Sequence, residues 1–229
     1  MIITTTKLTR AAGLCAVAAG LLFIGVQIKH PNLDAVFVTT TEWTIRQTAK
    51  VLFAGLALVG ITGMYLRQVK QTGVLGLVGY LLSGVGYLIM MSVEVVGAVV
   101  LPAIARNEPG YVNDVLAVAT GGHAVGEIGL MQPLSVAAGL TYLGGGLLFG
   151  VALFRAKILA RWAAALLAGA AVATAAIPLL PQINQRLFAI PAGVALIGLG
   201  YSLWREQRST VARPVPSSVG SPLDPAAVK

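Results

Sequence analysis

Charged residues are scarce in this sequence, and their absence from long stretches argues against a water-soluble fold. Only 10% of the 229 residues are Asp, Glu, Lys or Arg, and 57% are hydrophobic. A typical soluble domain has roughly 25% charged residues. A chain of this size has no core large enough to bury so much apolar surface. The apolar runs also lack the two-residue alternation of barrel strands, so the sequence predicts membrane helices.

Several motifs of catalysis and cofactor binding are absent as well. Cys15 is the single cysteine, which excludes an internal disulfide. His30 and His123 are the only histidines, and both fall on predicted outer segments, which argues against a di-haem membrane cytochrome. The H-E-x-x-H zinc pattern, a serine or cysteine nucleophile with its base, and a channel filter are also missing. We therefore predict neither a cofactor nor a metal ion.

Uncharged apolar segments, by contrast, are abundant. A helix that crosses a bilayer needs about 20 mostly apolar residues, and six segments reach or approach this length. The predicted fold class is therefore all-α: a polytopic integral membrane protein whose transmembrane domain, residues 1–204, is a six-transmembrane-helix bundle. The tail at 205–229 is rich in Pro and Ser without periodicity, which predicts a disordered segment. The spans are predicted at about 11–28, 48–67, 72–101, 133–154, 162–181 and 187–204.

The distribution of Lys and Arg predicts the orientation of these spans. With the amino terminus inside, eleven of the sixteen Lys and Arg residues fall on inside segments and five on outside segments. Cytoplasmic loops carry such an excess, so both termini and the tail are predicted to be cytoplasmic, with the protein in the cell membrane. The formal net charge of +8 fits contact with anionic lipid headgroups better than nucleic-acid binding, and we predict no nucleic-acid partner.

The segment between the third and fourth predicted spans is ambiguous. Residues 113–131, NDVLAVATGGHAVGEIGLM, are apolar enough to form a seventh span. Such a span would bury Asp114, His123 and Glu127, however, and its glycine pair weakens a continuous helix. It would also move three basic residues to the outside. We therefore favour a re-entrant or interfacial outer segment, with a surface helix and a seventh span left open as alternatives.

Two pairs of small residues predict close packing between helices. Gly146 and Gly150 form a G-x-x-x-G pair, and Gly79 and Ser83 form a second pair at the same spacing. Small residues let helix backbones approach each other where lipid provides no hydrophobic driving force. We expect both pairs to pack within one bundle, with dimerisation as the alternative.

Several apolar motifs resemble those of a known group of proteins. These are the run GGGLLFGVALFRAKILARWAAALLAGA, the tripeptide KHP after the first span, and the segments VEVVGAVVLPAIA and GLGYSLW. They are similar to segments of small six-helix actinobacterial membrane proteins that are grouped near the DUF4386 family. The resemblance covers nearly the whole chain except the tail. It implies the six-span topology and no particular activity.

Glu94 is the one charged residue in the apolar run GYLIMMSVEVVGAVVLPAIA. A carboxylate within such a run is costly, which makes it a candidate functional group. Tyr80, Tyr87 and Glu94 are spaced by seven residues, so they share one face of a helix, and His123 and Glu127 are four residues apart. The sequence thus predicts an outward-facing polar pocket lined by Tyr80, Tyr87, Glu94, His123 and Glu127.

Two classes of function follow from this pocket. The first, which we favour, is a non-catalytic membrane module that binds an apolar small molecule, a lipid or a membrane partner protein. The second is a membrane-embedded enzyme in which Glu94 is the candidate catalytic acid for proton-initiated chemistry on a lipid or isoprenoid. In a plainer alternative, Glu94 bonds a tyrosine or Arg106 and only fixes helix packing. A transporter is less favoured, because no inverted repeat is evident.

Overall fold

The computed structural model describes residues 3–29, 31–175 and 189–211, and every regular element in these ranges is a helix. Four of the helices, α1, α3, α4 and α6, are long and apolar enough to cross a membrane. The predictions of an all-α fold and of membrane helices are thereby confirmed. The helices are α1 (Thr5–Gln27), α2 (Ala35–Val38), α3 (Thr41–Arg67), α4 (Val69–Ile104), α5 (Pro109–Ala119), α6 (Met131–Ala156), α7 (Arg161–Ala175) and α8 (Ala189–Val211).

Six of these helices form a closed ring in chain order. α1 packs against α3, α3 against α4, α4 against α6, α6 against α7 and α7 against α8, and α8 returns to pack against α1. The pairing of residues shows that neighbours such as α1 and α8 are antiparallel, since Gly13 lies at Gly200 and Gly20 at Gly193. Large apolar side chains on the outward faces, such as Leu81, stay exposed. Each ring helix thus covers its inward face with two neighbours and leaves an apolar face for lipid.

The small-residue pairs lie at close helix crossings of the ring. Gly79 of α4 lies against the backbone of Phe149 in α6, and Ser83 lies in the same contact one turn away. Gly146 and Gly150 of α6 face α7. Close approach at these points needs residues with little or no side chain. Both predicted pairs therefore pack inside the bundle.

α3 extends past its predicted span because polar side chains satisfy the helix ends. It begins at Thr41, whereas the sequence predicts a span from residue 48. The Thr40 hydroxyl caps the helix by accepting a hydrogen bond of 3.2 Å from the backbone N–H of Trp43. The guanidinium of Arg46 donates to the carbonyl oxygen of Val26, at the end of α1, over 2.8 Å. Charged residues thus belong to the helix although they end the uncharged run.

The C-terminal part departs from the prediction at one boundary. α8 includes residues 205–211, which are therefore helical and not part of the disordered tail predicted to start at 205. An ion pair between Arg67, at the end of α3, and Glu206 ties this extension to the ring. Residues 176–188 and 212–229 lie outside the described residues, together with parts of the last two predicted spans and the rest of the tail.

A small layer crosses one end of the ring. It comprises α2, α5 and residues 120–130, and the end that carries it is called the capped end. The layer shares an apolar core with Trp43 of α3 and Leu101 of α4. The side-chain oxygen of Asn113 in α5 accepts a hydrogen bond of 2.8 Å from the backbone N–H of Ala35 in α2. With 11 residues, α5 rises only about 16 Å, roughly half of the ~30 Å hydrocarbon core, so this helix alone does not span it.

Candidate functional site

A cavity of about 360 Å³ lies between the helices at the capped end. Its lining comes from α1, α3, α4, α6 and α7 of the ring and from α5 of the cap. The volume falls within the range of about 300–1,000 Å³ that is usual for small-molecule sites. Such sites are mostly apolar with a few polar groups that fix the orientation of a ligand. This cavity has that composition.

One face of α6 forms a wall of the cavity. Ser135, Ala138, Gly139 and Tyr142 line it at spacings of three and four residues, which bring side chains to the same side of a helix. The first three are small, so they leave the space that the cavity occupies. Tyr142 is larger and also borders a void of about 20 Å³ deeper in the ring, room for about one water molecule.

The cap, α1 and α7 also contribute to the lining. Val118 and Ala119, at the end of α5, line the cavity from the capped end. Phe23 and Gln27 contribute from α1 and Thr174 from α7. The cap therefore supplies part of the cavity wall.

Glu94 lies at the polar part of the cavity and is paired. Its Oε2 accepts a hydrogen bond of 2.7 Å from the side-chain amide of Gln47 and one of 3.4 Å from the ammonium of Lys50. Gln47 and Lys50 are three residues apart, so they share the face of α3 that meets α4. The side chains of Lys50 and Glu94 are 21% and 17% exposed, so the ion pair is largely removed from solvent.

The ion pair keeps hydrogen-bonding capacity for a ligand. Among the described residues, Oε1 of Glu94 has no hydrogen-bond partner, since both bonds go to Oε2. The Lys50 ammonium carries three N–H donors, and one of them is used at Glu94. Both side chains line the cavity. A polar group that both donates and accepts hydrogen bonds therefore finds an acceptor and a donor side by side.

Aromatic rings build the apolar part of the cavity and continue below it. Phe23 stacks on Phe53 with ring centroids 4.5 Å apart. Phe53 meets Tyr87 edge-on at 5.7 Å, and Tyr87 meets Tyr142 edge-on at 6.0 Å. Edge-to-face and offset stacks at these distances add to the stability of aromatic clusters. The chain of rings gives the cavity a rigid apolar side.

The tyrosines predicted to line the pocket lie deeper than Glu94. Tyr87 is buried and borders the small void, where Ser83 lies beside it. Tyr80 lies farther along α4, stacks on Tyr65 with centroids 4.7 Å apart and pairs its hydroxyl with Thr62 at 3.1 Å. Both tyrosines are thus on the inward face of α4, as their spacing predicts. Neither belongs to the lining of the cavity at Glu94.

The two predicted outer residues are not brought to Glu94. His123 and Glu127 are exposed in the segment that follows α5. No hydrogen bond or ion pair in the described part of the chain joins either of them to Glu94. Arg106 is likewise not a partner of Glu94 among these contacts. Of the five residues predicted to form one pocket, Glu94 alone lines this cavity.

Sequence reasoning missed Lys50 and Gln47, the partners that the structure assigns to Glu94. Lys50 directly precedes an uncharged run, so the charge count treats it as an outside charge and not as part of a site. A usable signal existed, because Lys50 and Glu94 lie toward the same end of two consecutive spans. Opposite charges on adjacent antiparallel helices at similar depth are candidates for an ion pair.

Asp114 holds the cap in place. Its two carboxylate oxygens accept hydrogen bonds from the backbone N–H groups of Val125, at 3.0 Å, and Gly126, at 2.8 Å. These bonds hold the pKa of Asp114 below its ordinary value of 3.8. The segment turns at Gly121 and Gly129, which have φ of +85° and +57°, a conformation that glycine adopts without strain. The segment after α5 is therefore folded back onto that helix.

The hydrogen bonds that Asp114 accepts predict that the cap loosens in acid. Because the folded pKa lies below the ordinary value, the stabilisation is complete above about pH 4 and is lost as the pH falls through the lowered pKa. We expect Asp114→Asn to raise amide hydrogen exchange in residues 120–130 at neutral pH. In this variant, the loss of protection that acid causes in the parent protein should be absent. The control is Glu127→Gln, an exposed carboxylate in the same segment. Equal protection in parent and Asp114→Asn, across the pH range, would contradict the assignment.

Among the described residues, no group of three His, Cys, Asp or Glu side chains is placed to hold a metal ion. The chemistry that the lining supports is hydrogen bonding and ion pairing beside an apolar volume. Comparison with protein-family models, curated proteins and solved structures finds no match for this chain.

Proposed function

We propose that this protein is a non-catalytic integral membrane protein that binds an apolar small molecule or lipid in the cavity at Glu94. The observation that carries the proposal is the cavity itself, about 360 Å³ between the helices, with one ion pair at an otherwise largely apolar lining. A flat or convex surface would suit a partner protein. A concave site between helices suits a small molecule better.

The proposal includes six spans with both termini in the cytoplasm of the cell membrane. Four helices meet the length and apolarity of a span by themselves. α7 and α8 pack into the same closed ring, which supports counting them as the fifth and sixth spans. The eleven-to-five division of Lys and Arg supports an outside position for the capped end, with the cap as an interfacial or re-entrant outer segment. The resemblance to small six-helix membrane proteins agrees with this topology.

The topology predicts opposite labelling of two cysteine variants. In a background with Cys15 replaced by Ser, Val125→Cys in the cap should react with an impermeant thiol reagent applied to intact cells. Gln71→Cys, in the first turn of α4, should react only after the membrane is opened. Val125 is 97% exposed and Gln71 is also exposed, so access through the protein does not limit either reaction. Labelling of Gln71→Cys in intact cells would refute the orientation.

The enzyme alternative finds less support at Glu94. A catalytic acid must present a transferable proton to its substrate. Oε2 of Glu94 accepts hydrogen bonds from both Gln47 and Lys50, an arrangement that suits a carboxylate. No second carboxyl group lines the cavity among the described residues. Binding is therefore the function that we propose, and proton-initiated chemistry on a lipid or isoprenoid is not.

Binding in the cavity can be tested by a substitution that adds a side chain to the cavity wall, because a bound molecule should then be lost. A Cβ at Gly139 would meet nothing within 4 Å, so Gly139→Leu adds a side chain to open space at the cavity wall. We expect parent protein in mass spectrometry from lipid-containing micelles to retain a copurified small molecule or lipid. Gly139→Leu should retain about tenfold less of it, a change of about 1.4 kcal/mol.

The matched control is Gly169→Leu. A Cβ at Gly169, on α7, would also meet nothing within 4 Å, yet this residue borders none of the cavities described. Both substitutions replace a helical glycine by leucine, so their effects on helix propensity are the same. Equal retention by the two variants would remove the support for a ligand at this site.

A further inference from the structure

We infer that the cavity selects an amphiphile with an uncharged hydroxyl head over amphiphiles of the same chain length with a charged head. The inference rests on the proposed function and names the ligand class for the same site. It follows from the charge of the lining, the hydrogen bonds left open by the Lys50–Glu94 pair, and the engagement of the other charges nearby.

The charge of the lining sums to zero. Lys50 and Glu94 are the two charged side chains among the described residues that line the cavity, and they pair at 3.4 Å. An anionic head beside them would face Glu94, and a cationic head would face Lys50. Either head adds a third charge to a partly desolvated site in which every charge already has its counter-charge. Burial of a charge without its own partner is unfavourable.

Charges on neighbouring elements do not supply that missing partner. Arg46, one turn before Lys50 on α3, donates to the Glu42 carboxylate and to carbonyl oxygens at the end of α1. Asp114 of α5 is occupied by the backbone of the cap. Neither of these side chains lines the cavity. These two charges therefore leave the net charge of the cavity lining at zero.

A hydroxyl group matches the hydrogen-bonding pattern that remains. It carries one O–H donor and two acceptor lone pairs. Oε1 of Glu94, which has no partner among the described residues, can accept the O–H, and an N–H of the Lys50 ammonium can donate to the hydroxyl oxygen. The pair stays intact through Oε2 while the hydroxyl uses Oε1 of Glu94 and one of the two remaining N–H donors of Lys50. A single small head thus bonds to both members of the ion pair.

The apolar lining suits a flexible chain attached to that head. Phe23, Phe53, Met90 and Val93 lie beside the ion pair on α1, α3 and α4. Methionine adapts its shape to irregular apolar partners, and the stacked phenylalanines form a flat wall. A linear hydrocarbon chain fills such a volume without requiring further polar contacts.

Three probes with the same eighteen-carbon chain test the selection: oleyl alcohol, oleate and oleylamine. Each is added to the full-length protein in uncharged detergent at mildly alkaline pH, where oleate is ionised and oleylamine is protonated. Affinity is measured by native mass spectrometry and by the shift of the thermal unfolding midpoint. For the parent protein we expect oleyl alcohol to bind about tenfold tighter than either charged probe, which corresponds to about 1.4 kcal/mol.

Removal of one charge should reverse the selection. Glu94→Gln leaves the Lys50 ammonium without its counter-charge, so oleate should become the tightest of the three probes. Lys50→Gln leaves the Glu94 carboxylate alone, so oleylamine should become the tightest. The matched controls, Glu127→Gln and Lys70→Gln, remove the same charges at exposed positions that do not line the cavity and should keep the parent order.

The outcomes separate the inference from the function on which it rests. If none of the three probes binds to the parent protein, or if Gly139→Leu binds them as well as the parent does, the proposed function fails. If the probes bind but a charged one equals or exceeds oleyl alcohol in the parent, the selection for an uncharged head is overturned while binding stands. The parent ranking decides the question by itself if a charge variant does not fold.

Discussion

Glu94→Leu is expected to lower the free energy of unfolding by about 1.5–3 kcal/mol, the range for loss of hydrogen bonds to a charged group. The substitution leaves the Lys50 ammonium without its counter-charge and the Gln47 amide without its acceptor. Both groups are largely or fully buried, with Lys50 21% and Gln47 4% exposed. The cost therefore comes mainly from the partners left behind, and not from the leucine.

The double variant Lys50→Met/Glu94→Leu isolates that contribution. Replacement of both members of a buried ion pair by apolar residues is often neutral or stabilising. We expect the double variant to recover most of the stability lost by Glu94→Leu, measured by unfolding in mixed detergent micelles. It should also lose the cavity's preference among amphiphile heads. If Glu94→Leu alone proves more stable than the parent, Glu94 faces lipid and the pairing described here is wrong.

Gly79→Leu should destabilise the protein by about 3 kcal/mol, the upper part of the range for overpacking. A Cβ at Gly79 would lie 2.7 Å from the Cα of Phe149, so the side chain collides with the α6 backbone and not with a mobile side chain. Relief requires α4 and α6 to separate along the contact that contains both Ser83 and Gly145. The cavity wall on α6 would move with them, so ligand binding should fall as well.

Gly84→Leu, five residues along the same helix, is the control. A Cβ there would meet only the side chain of Leu58, at 4.0 Å, which is ordinary contact. Leucine also has a higher helix propensity than glycine, by up to about 1 kcal/mol. We therefore expect Gly84→Leu to be neutral or slightly stabilising in the same unfolding measurement. Equal losses for the two variants would show that the α4–α6 contact is looser than described.

Ligand affinity should depend on two helix contacts, α3 with α4 and α4 with α6. The ion pair needs α3 and α4 in one register, which Trp43 supports by donating its indole N–H to the carbonyl oxygen of Gly97 at 2.8 Å. The cavity wall needs α4 and α6 in contact at Gly79. A variant that disturbs either contact should therefore change ligand affinity without touching the lining.

The sequence by itself determined the class of fold and the approximate positions of the four long apolar helices, α1, α3, α4 and α6. The thickness of a bilayer sets the length of an apolar helix, and this constraint is local, so run length alone placed these four helices. Helical periodicity likewise placed Tyr80, Tyr87 and Glu94 on one inward face of α4. Boundaries such as the start of α3 were less accurate, because Thr40 and Arg46 satisfy the helix ends through contacts beyond the uncharged run.

The prediction of a single pocket did not account for the distance between residues along the axis of α4. Seven residues of helix rise about 10 Å, so Tyr80 and Glu94 are separated by about 21 Å along α4 although they share a face. Residues on one face at that separation cannot line one small cavity. The spacing was therefore informative about direction and not about proximity, which explains why Tyr80 and Tyr87 lie below the Glu94 cavity.

Only the tertiary structure decided which groups meet Glu94. The choice of Lys50 and Gln47 depends on α3 being the neighbour of α4 in the ring and on the register between them, neither of which is encoded in local spacing. The exposure of His123 depends on the path of the segment after α5, which Asp114 holds by hydrogen bonds to backbone groups eleven and twelve residues away. Apolar run length is a property of one segment, whereas partners of a buried charge are a property of the packed ring.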